Sequence, residues 1–326
     1  MQNSRISRSR GTQLQRHAVP HAGFLMAAVA NHVESLTDTL DLTFAGIKWR
    51  LRSYCHGLKV CTDPRTTEFL SGDNVAPHVN VDVRWSTDFH AAAAVIFDAG
   101  LWRAYAGDDY VFDFITEKLG PAPYKRAIFD RSFTRGEVLL NEDLLRDQDS
   151  YYPFEYPLDE LAMMHRLALG HGVELHSCGL ATPDGRGYLF VGHSGAGKST
   201  LGKLLVSERN GRILSDDRVI ITRAENAFRI HGTPWHGEAG LAHNSSADLQ
   251  AIFLIQHGAQ NELVRVAPSQ ASAELFARSF VPWYRPESLG FSLGFMQSIV
   301  STIPIYIFRC LPNPTAIEFL EANCAL

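Results

Sequence analysis

The chain has 326 residues, 45% hydrophobic and 20% charged, which is material for two cores at roughly one domain per ~150 residues. A formal charge of −5 gives no electrostatic reason to expect nucleic acid or an anionic membrane as partner. Its five scattered cysteines (Cys55, Cys61, Cys178, Cys310, Cys324) form no C-x-x-C pair, which argues against a disulfide or zinc framework and for a reducing, cytoplasmic setting.

Residues 1–35 are expected to be a flexible leader and a short helix. Arg5, Arg8, Arg10 and Arg16 precede an apolar run over 22–30 that imitates a secretory signal. The run is far below the ~20 residues of a membrane span. Residues 36–150 are expected to form a β-rich domain. Leu42 and Phe44 alternate with polar neighbours, Ala45-Gly46 offers a turn, and Ile47, Trp49 and Leu51 resume the alternation, predicting a hairpin. Val79, Val81, Val83 and Trp85 predict a half-buried strand. A second hairpin is expected around Gly107-Asp108-Asp109, and strands over 126–129 and 137–140 complete an antiparallel sheet. No chemical signature falls here. Trp49, Arg84, Trp102 and Arg103 read as strand faces before partner contacts.

Residues 151–326 carry the chemistry. Pro157 opens a helix whose Leu158, Leu161, Met164 and Ala168 share a face, and Gly170 stops it. A strand over 173–178 bears His176. The turn Pro183-Asp184-Gly185 then reverses the chain, so the strand Tyr188-Leu189-Phe190-Val191 is expected to pair antiparallel with it. There follows Gly192-His193-Ser194-Gly195-Ala196-Gly197-Lys198-Ser199-Thr200, which satisfies G-x-x-x-x-G-K-[ST] between a strand and a helical pattern. Backbone N–H groups of such a loop, with the helix N-terminus, cradle phosphates. Lys198 is expected to reach the β/γ-phosphates, and the Ser199 hydroxyl to ligate Mg²⁺. A short apolar strand next ends in Ser215-Asp216-Asp217, the place of a metal-holding or proton-accepting carboxylate. The loop Gly232-Thr233-Pro234-Trp235-His236-Gly237-Glu238 looks shaped rather than filler, with Glu238 a candidate second metal ligand and His236 a candidate phosphate contact or core packer. Strands over 251–256, 263–266 and 303–309, and helices over 268–278 and 286–301, complete the chain. Arg278 and Arg285 are candidate phosphoryl or adenine contacts.

These motifs over about 155–310 resemble the HPr serine kinase/phosphorylase family and its relatives, which share a nucleotide-site architecture with ATP-dependent phosphoenolpyruvate carboxykinase. The resemblance rests on the 158–170 helix, the strand bearing His176, the loop 192–200, Ser215-Asp216-Asp217 and Gly232-Thr233-Pro234-Trp235. It implies an α/β kinase domain with a mixed sheet, following the β-rich N-terminal domain. It also implies an ATP- and Mg²⁺-dependent phosphotransferase with Lys198 and Ser199 on phosphate and metal. Asp216 would be the base for a serine hydroxyl, supported by Asp217, with His176 near the transferred group and Glu238 a late acidic ligand beside Asp216. The chain has His231-Gly232-Thr233-Pro234-Trp235 where HPr kinases carry a second signature, and residues 1–150 do not resemble their N-domain. The implied acceptor is therefore another serine-bearing protein, peptide or small molecule, with homo-oligomerisation possible as in the family. The alternatives are a non-catalytic ATP sensor or scaffold and a carboxykinase-like lyase.

Overall fold

Alternation in the first third of the chain becomes pairing. Thr39–Phe44 and Ile47–Ser53 form the expected hairpin, with Leu42 opposite Trp49 and both buried. This computed structural model describes residues 38–90, 93–193, 195–225 and 227–324, so the expected leader and helix over 1–35 and the loop residue Ser194 lie outside the described residues. Trp102–Tyr105 and Tyr110–Thr116 form the second expected hairpin, and Gly120–Phe129 pairs antiparallel with Arg135–Asn141.

An eight-stranded sheet results, but it is not the antiparallel sheet expected. Val79–Ser86 runs parallel to both its neighbours, Ile47–Ser53 and Arg135–Asn141. Tight turns join only antiparallel neighbours, and this strand is reached through 54–78 and left through the 87–134 excursion, so it enters in the parallel sense. Trp49 is buried. Arg84 pairs with Asp82 and Glu137, and Arg103 pairs with Asp98, so these side chains serve the strand faces.

The second sheet holds nine strands. Gly172–Ala181 pairs antiparallel with Arg186–Val191, as the Pro183-Asp184-Gly185 turn requires, and with Arg212–Ser215 and Arg218–Ala224. Arg186–Val191 is also parallel to Ser246–His257, which in turn is parallel to Ile305–Cys310. One face is covered by Leu201 and Leu205 of the helix Lys198–Arg209 and by Ile317 and Leu320 of a final helix, Thr315–Cys324, absent from the expected elements. The other face is covered by Leu275 of Pro268–Phe276 and by Met296 and Ile299 of Pro286–Thr302. The molecule is thus a mixed α/β fold with two large mixed sheets. Helix Leu158–Leu167 packs Leu158, Leu161 and Met163 into the core of the first sheet, where Ile220 and Trp235 join it. None of the helices among the described residues is long and apolar enough to cross a membrane.

Candidate functional site

The strand Arg186–Val191 is buried along its length after the first residue and ends directly at Gly192. The chain then curls through Gly195 (φ 78°) and Gly197 (φ 94°), both left-handed, before entering the helix at Lys198. A side chain at either glycine would be strained. No side chain among the described residues caps this helix, so its N-terminal donors remain suited to an anion. His257 Nε2 lies 3.0 Å from the Gly195 carbonyl oxygen, and Arg278 Nη2 donates to His193 Nε2 at 3.1 Å, so both flanks of the loop are held by side chains distant in sequence.

Lys198 folds back into this loop. It is 7% exposed, and its Nζ donates to Gly192 O at 2.9 Å and His193 O at 3.1 Å. Burial holds its ammonium below the ordinary lysine value. The same Nζ lies 3.3 Å from His176 Nε2, and His176 Nδ1 lies 2.9 Å from Asp217 Oδ1. With the proton on Nδ1 the ring donates to Asp217 and Nε2 accepts from Lys198; with Nδ1 bare it accepts instead from Arg218 Nη1, 3.1 Å away, so Asp217 and Arg218 compete for that nitrogen. Burial alone would raise the Asp217 carboxyl. The His176 hydrogen bond and the Arg218 charge outweigh it and hold Asp217 below the usual carboxylate range.

Sequence places Asp216 and Asp217 together, but the structure gives them different tasks. Asp216 is 4% exposed, and its two oxygens accept the backbone N–H groups of Gly237 at 2.8 Å and Ala239 at 3.0 Å. It clasps the turn after Trp235, while Asp217 faces the Lys198–His176 line. The turn itself is braced. A Cβ on Gly232 would lie 2.0 Å from His243 O and 2.4 Å from Leu214 O, so only glycine passes there. Thr233 Oγ1 donates to Arg218 O at 2.7 Å, and Trp235 packs on Phe44 with ring centroids 5.8 Å apart. His236 Nδ1 is engaged with Gly237 O at 2.9 Å, and Glu238 is exposed on the turn whose flanking amides Asp216 holds. The shaped loop is thus a bracket for the Asp216–Arg218 corner. Arg278 stands at the phosphate loop, whereas Arg285 does not: its guanidinium donates to the carbonyls of Gly107 and Asp109.

Magnesium fits the donor chemistry here. Mg²⁺ takes few protein ligands, keeps waters and binds through substrate phosphates, so no cage of three or more side chains is needed, and none is found among the described residues. Ser199 sits half-buried in the first turn of the loop helix, with the Asp216-Asp217 carboxylates at the end of the strand Arg212–Ser215. Cys178, buried near Lys198 and Asp216, is no nucleophile: burial and the Asp216 charge push its thiol up to about 12. Sequence reasoning passed over two buried acids behind Asp217, Glu160 and Glu174. Glutamate inside the apolar strand pattern 173–175 was the signal available.

Loop, flanking strand and helix, and the inward lysine define a phosphate-loop, nucleotide-binding α/β protein. No protein-family model matches the chain. Over 171 residues it is 31% identical to the small ribosomal subunit biogenesis GTPase RsgA of Pseudomonas fluorescens strain Pf0-1 and 32% identical to that of strain Pf-5. The match covers 44% of this chain and 48% of each relative, so the chain spans about half the length of the curated relatives it matches. The structure of the Hpr(Ser) kinase/phosphatase from Coxiella burnetii is similar over 46% of this chain and 94% of that one, at 13% identity and a TM-score of 0.29. At that score it decides nothing about architecture or activity.

Proposed function

We propose that the chain transfers the terminal phosphoryl group of a nucleoside triphosphate, ATP in the first instance, to a hydroxyl of a serine-bearing protein, peptide or small molecule. The observation that carries this reading is the line Lys198–His176–Asp217, with contacts of 3.3 and 2.9 Å, set against the phosphate loop. A bare nucleotide grip requires the loop and a metal ligand; it does not require a histidine joining the loop lysine to a second carboxylate. In this reading the amides of 192–200 and Lys198 bind the phosphate tail. Ser199 and the Asp216-Asp217 corner would hold Mg²⁺, which would neutralise charge on the phosphates. Glu238, exposed on the turn, would be a further candidate ligand.

The acceptor's partner is then Asp217, which faces His176 and through it Lys198, whereas Asp216 faces the Gly237 and Ala239 amides. A carboxylate lowered by His176 and Arg218 is a weak base, but phosphoryl transfer proceeds through a loose transition state in which orientation counts more than deprotonation. Arg278, beside His193, supplies a further positive charge at the loop mouth. A second reading is hydrolysis of the nucleotide with water as acceptor; it is favoured by the similarity to proteins named GTPases.

The test incubates the full chain with γ-labelled ATP or GTP, with and without a serine-peptide library. Label on a peptide or on the chain supports transfer; inorganic phosphate alone supports hydrolysis. Binding with neither product, unchanged in Asp217→Asn, leaves a nucleotide sensor and refutes the phosphotransferase reading.

A further inference from the structure

The charged network does not end at Asp217. Arg218 Nη1 reaches the Asp217 carboxylate and lies 3.1 Å from His176 Nδ1, while its Nε donates to Glu160 Oε1 at 2.8 Å. Its guanidinium carbon stands 4.2 Å from the Phe280 ring centroid, which fixes the plane of the fork. Glu174 Oε1 is 3.7 Å from the same Nε. Glu174 is fully buried, and neither of its carboxylate oxygens has a hydrogen-bond partner among the described residues.

Three carboxylates therefore surround one guanidinium, and two of them are buried side by side. A second ionised carboxylate in this interior would be uncompensated. One proton on Glu174 removes the repulsion and makes it a donor toward Glu160. Burial, and then the Glu160 charge, push Glu174 well above the usual carboxylate range. The other ionisable groups facing Glu174 are Asp159 and Tyr156 on the helix side and Arg218 on the strand side; Asp159 is itself raised by burial to about 7.

We propose that Glu160 and Glu174 form a one-proton carboxyl pair that positions Arg218 and, through it, the Asp217–His176–Lys198 line beneath the phosphate loop. Glu160 anchors the Nε side of the fork, so that Nη1 stays on Asp217. Loss of the shared proton draws the guanidinium toward the pair, loosens Asp217 and His176, and weakens the loop's hold on a phosphate tail. Both glutamates are positioning residues. The consequence for nucleotide rests on the function proposed above.

Two readouts on the full chain test this. The first is the His176 ring chemical shift in NMR spectra of the wild type, Glu160→Gln and Glu174→Gln at one fixed pH, which needs no nucleotide. The second is binding of a fluorescent ADP analogue with Mg²⁺ measured from neutral to alkaline pH. Glu160→Gln is expected to move the His176 ring shift and to weaken nucleotide binding about tenfold, the scale of one charge-assisted hydrogen bond, with partial rescue by Glu160→Asp. Glu174→Gln is expected to remove part of the alkaline loss of affinity. If either variant fails to fold, as read by circular dichroism, the other decides. Identical His176 ring shifts in wild type and folded variants overturn the pair's role whether or not nucleotide binds. A moved His176 ring shift in a chain that binds no nucleotide supports the pair and overturns the nucleotide reading instead.

Discussion

The two sheets handle buried charge in opposite ways. In the first, Arg126 gives Asp113 two hydrogen bonds of 2.6 and 2.8 Å and donates further to the carbonyls of Phe89 and His90, while the Tyr105 hydroxyl completes Asp113 at 2.7 Å. Lys48 is likewise closed off by Asp41 and Asp73. In the second, Arg218 is shared among Glu160, Glu174 and Asp217, His176 bridges to Lys198, and Lys198 donates to loop carbonyls. A closed network holds strands in register and has nothing left to offer. The other is a line from a bare carboxyl inside to a lysine at the loop, whose loop-carbonyl partners a phosphate tail can replace. Mere burial of charge does not mark a ligand site; a charged line that ends at the phosphate loop does.

The contrast can be broken most forcefully at Arg126. Replacing it by methionine strands Asp113 in the core and is expected to cost about 3–5 kcal/mol in chemical denaturation, with the nucleotide affinity of the folded fraction unaltered. A cost under about 1 kcal/mol would mean the closed network is not structural after all. Lys198→Ala is expected to do the reverse. Nucleotide affinity should fall on the order of 100-fold in a fluorescence titration, while thermal stability holds or rises because a buried ammonium is removed. Asp216→Asn sharpens the division within the site. It should lose about 1–3 kcal/mol and make the 237–240 turn sensitive to limited proteolysis, whereas Asp217→Asn should lose turnover while that turn stays protected. Equal effects of the two would erase the distinction drawn between them.

The first core adds a pH dependence that is felt only on acidification. His165 is buried, its Nε2 within 2.9 Å of the Tyr284 hydroxyl, and burial pushes its pKa down to about 3. The unfolded chain takes up that proton near the ordinary value of about 6.5 and the folded chain does not, so acidification from there toward about 3 favours unfolding. His165→Gln should flatten this acid limb in denaturation curves measured across that range. Asp217 acts in the same direction at lower pH. Its contribution is full above the ordinary carboxylate value and is lost as pH falls through its lower folded value.

Much of this was legible in residue order because its causes are local. Alternation of Leu42, Phe44, Ile47, Trp49 and Leu51 sets which face is buried whatever the partner strand, and a short turn leaves a hairpin as the sole connection. The loop 192–200 is legible for the same reason: glycine spacing, a lysine and a hydroxyl act within nine positions of each other. The final helix was legible too, with Ile317 and Leu320 following Pro314, and was passed over. The parallel insertion of Val79–Ser86 was not legible, since it depends on strands 25 or more residues away in either direction.

Composition and spacing alone therefore determined that the chain has a β-rich first region and a phosphate loop followed by acids on a strand end. Only the tertiary structure decided which acid faces the loop. Adjacent residues at a strand end point to opposite sides, and what lies on each side, the Gly237 and Ala239 amides for Asp216 and His176 for Asp217, is set by segments far apart in the chain. Burial of Glu160 and Glu174 around one arginine has the same origin: helix, strand and strand meet there only once the cores have formed.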